Sequence, residues 1–344
     1  MTAIPSRNAL GQELRRHPAA GWADAAAAAG FSPWPMQPRV AVLIPCHNEG
    51  AAITSVITAF RQHLPDAVIY VYDNNSTDDT ALRAKAAGAI VRREALQGKG
   101  HVVRRMFADI DADAYILVDG DGTYDAAAAP RMLRLLVEQQ LDMVSAARQD
   151  TERQAYRFGH RFGNALLTRI VAWVFGQGIS DLLSGYRVFS RRFVKSFPAL
   201  SSGFETETEF TVHALALRMP TREVFAPYRG RMPGSHSKLN TVADGIRILR
   251  AILTLIQHER PLPMFGLAGL GLLSAGVGLG LPIVAEFLRT GLVPRLPTAL
   301  LSTGLVLLAV LSAVCGLILD AVARGRTEYK RIAYLTIPPL EVPE

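Results

Sequence analysis

Cysteine is almost absent. Cys46 and Cys315 are the only two in 344 residues, the second inside an apolar run, so neither a disulfide framework nor a cysteine metal cluster is implied. The first 38 residues lack a long apolar run behind a basic start, and no cleaved secretory signal is expected there. The net charge is +7, yet Lys and Arg are dispersed and no nucleic-acid-binding motif occurs, which argues against nucleic acid as a partner. Phosphate-bearing ligands or an anionic membrane face suit that charge better. Charge itself is missing from residues 296–319, and residues 264–288 carry one, Glu286, close to their end.

Much of the 49% hydrophobic content is concentrated beyond residue 262. At about 24 residues each, these two stretches are long enough to cross a bilayer. Their Leu, Ile, Val and Phe contribute up to about −0.6 kcal/mol each to insertion, which outweighs a peripheral Glu. A transmembrane hairpin is expected. Its loop carries Arg289 and Arg295, whereas the outer flanks carry Arg247, Arg250, Arg260, Arg324, Arg326, Lys330 and Arg331. That basic excess predicts that both ends lie in the cytoplasm. Residues 241–258 form an apolar stripe of Ile246, Leu249, Ile252, Leu253 and Ile256. This suits a helix lying on the membrane surface or, equally, one packed on a core.

Upstream, the chain alternates strand and helix. Ala25 to Ala29 reads as a short helix, and Pro33, Pro35 and Pro38 hold an extended lead-in. Val40-Ala41-Val42-Leu43-Ile44, Val68-Ile69-Tyr70-Val71-Tyr72, Ala89-Ile90-Val91, Ile116-Leu117-Val118 and Met143-Val144-Ser145-Ala146-Ala147 are apolar runs of parallel-sheet type. Helices are expected to His63, to Ala87, from about Lys99, over 126–140 and to Arg218. Four strands end in polar loops, at Asn48/Glu49, Asp73, Asp119/Asp121 and Arg148, and one sheet edge would collect them all. Ser76 or Thr77 is the expected N-cap of the second helix, with Asp78 and Asp79 in its first turn.

The chain centres on Asp119-Gly120-Asp121-Gly122. Two carboxylates spaced two apart at a strand end can converge on a hard cation such as Mg²⁺ or Mn²⁺, which completes its shell with phosphates and water. A solvated Asp-Gly turn is the competing reading. Lys99 stands between two glycines at a helix start, where it can meet a phosphate, although the full P-loop pattern is missing. Arg153, Arg157 and Arg161 at helical spacing read as a solvated face. Asp181 to Arg187 is a short polar turn before the strand Val188-Phe189. Glu205, Glu207 and Glu209 open a helix, where capping competes with catalysis for them.

Taken as an ordered set, Pro45-Cys46-His47-Asn48-Glu49, the 73–79 loop, Asp119-Gly120-Asp121, Ser184-Gly185-Tyr186-Arg187 and Gly234-Ser235-His236-Ser237-Lys238 resemble family-2 glycosyltransferases. The polyprenol-phosphate glycosyltransferases typified by dolichol-phosphate mannose synthase are the most similar subgroup. The resemblance covers roughly residues 39–258. It implies an α/β GT-A (Rossmann-like) domain, a UDP- or GDP-hexose donor, a divalent metal (Mg²⁺ or Mn²⁺), a polyprenyl phosphate acceptor and inversion. By position, Pro45, Asn48, Glu49 and Asp73 match nucleoside-holding residues, with Lys99 in the loop that follows. Asp119 and Asp121 match the metal and diphosphate site. Arg148, Ser184, Arg187, Ser237 and Lys238 match the region where acceptor phosphate and diphosphate meet. Thr123 and Tyr124 replace a glutamine and a further polar residue common near the metal, and either Glu207 or Glu209 stands where relatives carry a catalytic acid.

The expected organisation is an N-terminal extension (1–38), the GT-A domain (39–239), an interfacial helix (240–260), the hairpin (261–323) and a cytoplasmic tail (324–344). The expected location is a bacterial plasma membrane with the catalytic domain cytoplasmic, and a homo-oligomer is compatible with it. A processive polysaccharide synthase is the rival enzyme, but no Arg precedes Trp22, Trp34 or Trp173 to make its Gln-x-x-Arg-Trp motif, and two spans are few for a secretion channel. A membrane-tethered nucleotide-sugar-binding scaffold is the non-catalytic rival.

Overall fold

A computed structural model describes residues 38–150, 180–203, 205–230, 249–250, 253–254, 257 and 259–340. The Ala25–Ala29 helix, the arginine row at 153, 157 and 161, and the loop bearing Ser237 and Lys238 lie outside these residues, as does most of the 241–258 helix. Strands β1 (Val40–Cys46), β2 (Val68–Asp73), β3 (Ile90–Arg93) and β4 (Ala114–Leu117) are mutually parallel where they pair. They join β5 (Met143–Asp150), β6 (Arg187–Ser190) and β7 (Thr221–Tyr228) in one sheet of order β3-β2-β1-β4-β6-β5-β7. β6 runs antiparallel to both β4 and β5, and β7 parallel to β5. The expected GT-A-type α/β layer is thus present.

Both faces of the sheet are covered, which is why its central strands are apolar without alternation. Val40, Val42 and Ile44 point to one face, where α1 (Ile53–His63), α2 (Thr80–Ala86) and α4 (Ala129–Glu138) supply Ile57, Phe60, Ala84, Met132 and Leu136. Ala41 and Leu43 point to the other, packed by α3 (Lys99–Asp109), α5 (Arg191–Ser196) and α6 (Thr206–Leu217) through Met106, Phe107, Phe193 and Phe210.

Several boundaries differ from expectation. α2 starts at Thr80 because Ser76 and Thr77 are committed to Asn48, and Asp78 accepts the Thr80 N–H at 3.0 Å. A 3-10 turn at Ala126–Ala128, capped by Asp125, precedes α4. β5 does not end at Arg148 but continues to Asp150, since β7, absent from the sequence reading, pairs with it as far as Tyr228.

α7 (Pro261–Thr290) and α8 (Leu296–Leu335) form an antiparallel hairpin of helices long and apolar enough to cross a membrane, with only 17% and 11% of their most apolar stretches buried in the protein. Membrane association follows. Buried positions recur every seven residues, Gly269, Gly276 and Ile283 on α7 and Ser302, Ala309, Gly316 and Ala323 on α8; Gly269 meets Ala309, Gly276 meets Ser302, and the Ser302 hydroxyl donates to the Gly276 carbonyl at 2.8 Å. Small residues let the two backbones approach where lipid gives no hydrophobic drive. α8 continues well past its apolar part. Its Tyr334 hydroxyl donates to Asp142 Oδ2 at 2.8 Å, under the Arg192 guanidinium 4.9 Å from the ring, and Lys330 pairs with Glu259 at 2.5 Å.

His213 on α6 is 2% exposed, edge-on to Phe193 and Phe197, with Nε2 3.2 Å from the Ser196 hydroxyl. Burial, with Lys330 nearby, lowers its pKa from 6.5 to about 3. The unfolded chain takes this proton first, so the contribution to stability is complete above about pH 6.5 and is lost as pH falls toward about 3. Melting temperature should therefore fall less steeply over that window in His213→Asn than in the wild type; parallel slopes would refute the assignment.

Candidate active site

The strand ends of β1, β2, β4 and β5 lie on one edge of the sheet, and the antiparallel course of β6 brings the residues just before Arg187 to the same edge. Open α/β sheets bind ligands at such an edge, next to the point where strand order reverses, here between β1 and β4.

The 119–121 turn is fixed from several sides. A Cβ on Gly120 would lie 2.6 Å from Cys46 Sγ, and one on Gly185 2.3 Å from Asp119 Oδ2, so both neighbours press on the turn. Asp121 is 4% exposed and its Oδ1 accepts from the Thr123 hydroxyl at 2.6 Å and the Thr123 N–H at 3.1 Å. The Gly185 N–H donates to the Tyr124 hydroxyl at 2.9 Å, and the Tyr124 ring meets those of Tyr186 and Tyr228 edge-on. The two positions where this chain departs from its resemblance therefore brace the acidic turn.

Lys99, at the first turn of α3, donates to Asp119 Oδ1 and Glu207 Oε1, each at 2.5 Å. Burial opposes its charge, but the two carboxylates outweigh burial and raise its pKa above the ordinary lysine value. Burial likewise raises Glu207, against the pull of Lys99. The approach is close: the Gly100 N–H donates to the Ser202 carbonyl at 3.1 Å, and a Cβ on Gly100 would lie 2.1 Å from the Ser201 oxygen.

At the nucleoside end, Asn48 has φ 53° and its Oδ1 accepts from the Thr77 N–H at 2.7 Å, while the Glu49 N–H donates to the Thr80 hydroxyl at 2.9 Å. Pro45 lies in β1 opposite Tyr72. Asp73 Oδ2 accepts from the Ser76 N–H at 3.2 Å, whereas its Oδ1 is buried with no hydrogen-bond partner among the described residues. A buried orphan acceptor is costly unless a ligand donor meets it. Asn74, not singled out from the sequence, holds the next loop by donating to the Glu94 and Leu96 carbonyls and accepting from the Gly98 N–H.

Other candidates are bonded within the protein itself. Arg148 makes a two-pronged pair with Asp181 at 2.7 and 2.8 Å, its guanidinium 5.6 Å from the centre of the Tyr228 ring. Tyr228 escaped the sequence reading because its strand did. Arg187, expected beside the phosphates, is 0% exposed and donates to the Ser184 and Leu182 carbonyls and the Thr211 hydroxyl; burial lowers its pKa to about 10. It lies beneath the site. Ser184 donates to the Ala146 carbonyl, and Glu209 accepts from the N–H groups of Leu200 and Ser201, so both hold backbone. Of the two glutamates left open by the sequence, only Glu207 joins the charged cluster. Ser237 and Lys238 lie outside the described residues.

Gly185→Ala should displace the Asp119 carboxylate and lower any activity of the site by on the order of 10²-fold, the usual cost of misplacement near 1 Å. An unchanged circular dichroism spectrum is expected, and undiminished turnover would contradict the geometry.

Comparison with known proteins agrees with this architecture. The sequence pattern described as glycosyl transferase family 2 matches residues 41–197. Glycosyltransferase AglJ of Haloferax volcanii is 32% identical over 303 residues, covering 88% of this chain and 99% of that one. A dolichyl-phosphate hexose transferase of the same organism is 25% identical over 221 residues, 64% of this chain and 95% of that one. In fold, the chain is similar to glucosyl-3-phosphoglycerate synthase from Mycobacterium tuberculosis, solved with Mn²⁺, UDP-glucose and phosphoglyceric acid: TM-score 0.55, 22% identity, 69% of this chain and 84% of that one. On its sheet order, its acidic turn and its relation to AglJ along nearly its whole length, the chain belongs to glycosyl transferase family 2.

Proposed function

We propose that this glycosyltransferase moves a hexose from a UDP- or GDP-linked donor to a polyprenyl phosphate, with inversion, at the cytoplasmic face of a bacterial plasma membrane. The observation that carries the reading is the acidic turn at Asp119 and Asp121, beside the buried Lys99 ammonium on the ligand-binding edge of a chain whose C-terminal hairpin is long and apolar enough to cross a membrane. The relation to a dolichyl-phosphate hexose transferase supports a lipid-phosphate acceptor.

The donor chemistry suits a hard divalent cation: the Asp119 side chain is 30% exposed, and Asp121 follows two residues later in the same turn. Such an ion is held by one or two carboxylates and takes the rest of its shell from diphosphate and water. When bound, it would offset charge on the departing diphosphate. Asp73, with its orphan Oδ1, is suited to accept an N–H of the base. Lys99, held between Asp119 and Glu207, keeps a positive charge beside the acidic turn for the diphosphate, while Thr123 holds the Asp121 carboxylate and Tyr124 holds Gly185 against Asp119. A lipid phosphate is already an anionic nucleophile at neutral pH, so no strong general base is required; the difficulty lies in bringing two anions together. Arg148 and Lys238 are assigned to the acceptor phosphate, oriented for attack opposite the leaving group.

Purified protein incubated with nucleotide sugars, polyprenyl phosphate and Mg²⁺ or Mn²⁺ should form a glycosylated lipid, and chelation should stop it. Asp121→Asn should lose at least about 10²-fold in rate while remaining folded. Full activity in that variant would overturn the reading, and metal-dependent donor binding without transfer to any lipid phosphate would favour a scaffold.

A further inference from the structure

α8 has a direction relative to the catalytic domain. It packs against α5 and α6, and its Tyr334 reaches Asp142, just before β5 on the edge opposite the site. α6 itself starts at the site, with Glu207. Going back up α8 from Tyr334 to Lys330 and beyond therefore leads past the domain toward the edge that bears Lys99 and Asp119. At 1.5 Å per residue, the apolar run ends at Leu319, about 16 Å along α8 from Lys330.

Two large apolar side chains protrude from that same edge. Leu96 is 56% and Leu200 72% exposed. Neither sits on a loose loop: the Leu96 carbonyl accepts from Asn74 and its N–H donates to Glu94, while the Leu200 N–H donates to Glu209. The two segments also interlock, since the Gly100 N–H donates to the Ser202 carbonyl. Single exposed leucines are common, and Leu82 and Phe225 are as exposed elsewhere on the domain, but Leu96 and Leu200 stand on two interlocked segments of the rim, at the edge toward which α8 runs up into the apolar hairpin.

We infer that the rim around the site rests on the bilayer, with Leu96 and Leu200 seated in the boundary between headgroups and acyl chains. The occupant of this surface is the membrane that the hairpin crosses. The inference rests on the membrane reading and deepens the proposed function, because it brings the cleft to the depth of a lipid phosphate.

The test uses the full chain in phosphatidylcholine/phosphatidylglycerol vesicles. With Cys315→Ala as background and Cys46 buried, an environment-sensitive dye is attached at Leu96→Cys, at Leu200→Cys or, as control, at Gln62→Cys on the last turn of α1 at the opposite edge. Both leucine positions should give blue-shifted emission quenched by lipids labelled near the headgroup, and the control neither. A probe at Leu96 or Leu200 as exposed to water as that at Gln62 overturns the inference, whatever the transfer activity. Quenched probes in a protein that glycosylates no lipid phosphate would instead leave the seating intact and refute the proposed acceptor.

Discussion

The buried ammonium of Lys99, held between Asp119 and Glu207, is the contact on which the site depends. Two carboxylates from distant elements, one after β4 and one on α6, would repel each other in a space with little water. A single cation between them turns that repulsion into attraction. Such an arrangement returns its desolvation cost only when geometry is close and every partner stays in place; removal of one member leaves a buried charge that costs about 3–5 kcal/mol. Gly98 and Gly100 allow the closeness, because the 201–202 backbone lies where side chains would otherwise stand. The same contact ties α3, the 200–203 segment and α6 to the acidic turn.

The antiparallel β6 is the second device. In an all-parallel sheet, the residues leading into a strand lie on the edge away from the ligand. Reversing β6 delivers Ser184-Gly185 to the ligand edge, against the Asp119 carboxylate and under the Tyr124 hydroxyl. Arg187 then enters the core, and its charge is met by carbonyls rather than by ligand.

Much of this was legible in the residues. Central strands buried on both faces are continuous apolar runs, so β1, β2, β4 and the start of β5 stand out, and with them the strand-end positions of Asn48, Asp73 and Asp119. β7 did not stand out, because an edge strand carrying Arg222, Glu223 and Pro227 has neither an apolar run nor clean alternation. Missing it hid Tyr228 and the true end of β5. Arginine in a polar turn reads as a phosphate ligand, and only packing reveals that Arg187 is interior. The cap of α2 departs from its local pattern for a related reason: Ser76 and Thr77 are good caps locally, but Asn48 competes for them across 28 and 29 residues.

The length of α8 has its own consequence. Forty residues without a break make a rod of about 60 Å, about twice the thickness of a bilayer's hydrocarbon. Because Tyr334 is clamped at Asp142, adding or deleting one residue between Asp320 and Lys330 would raise or lower the domain by about 1.5 Å and also swing the clamp by about 100°. Height above the membrane and heading around the helix are geared together, so only insertions near whole turns could lift the enzyme without unclamping it.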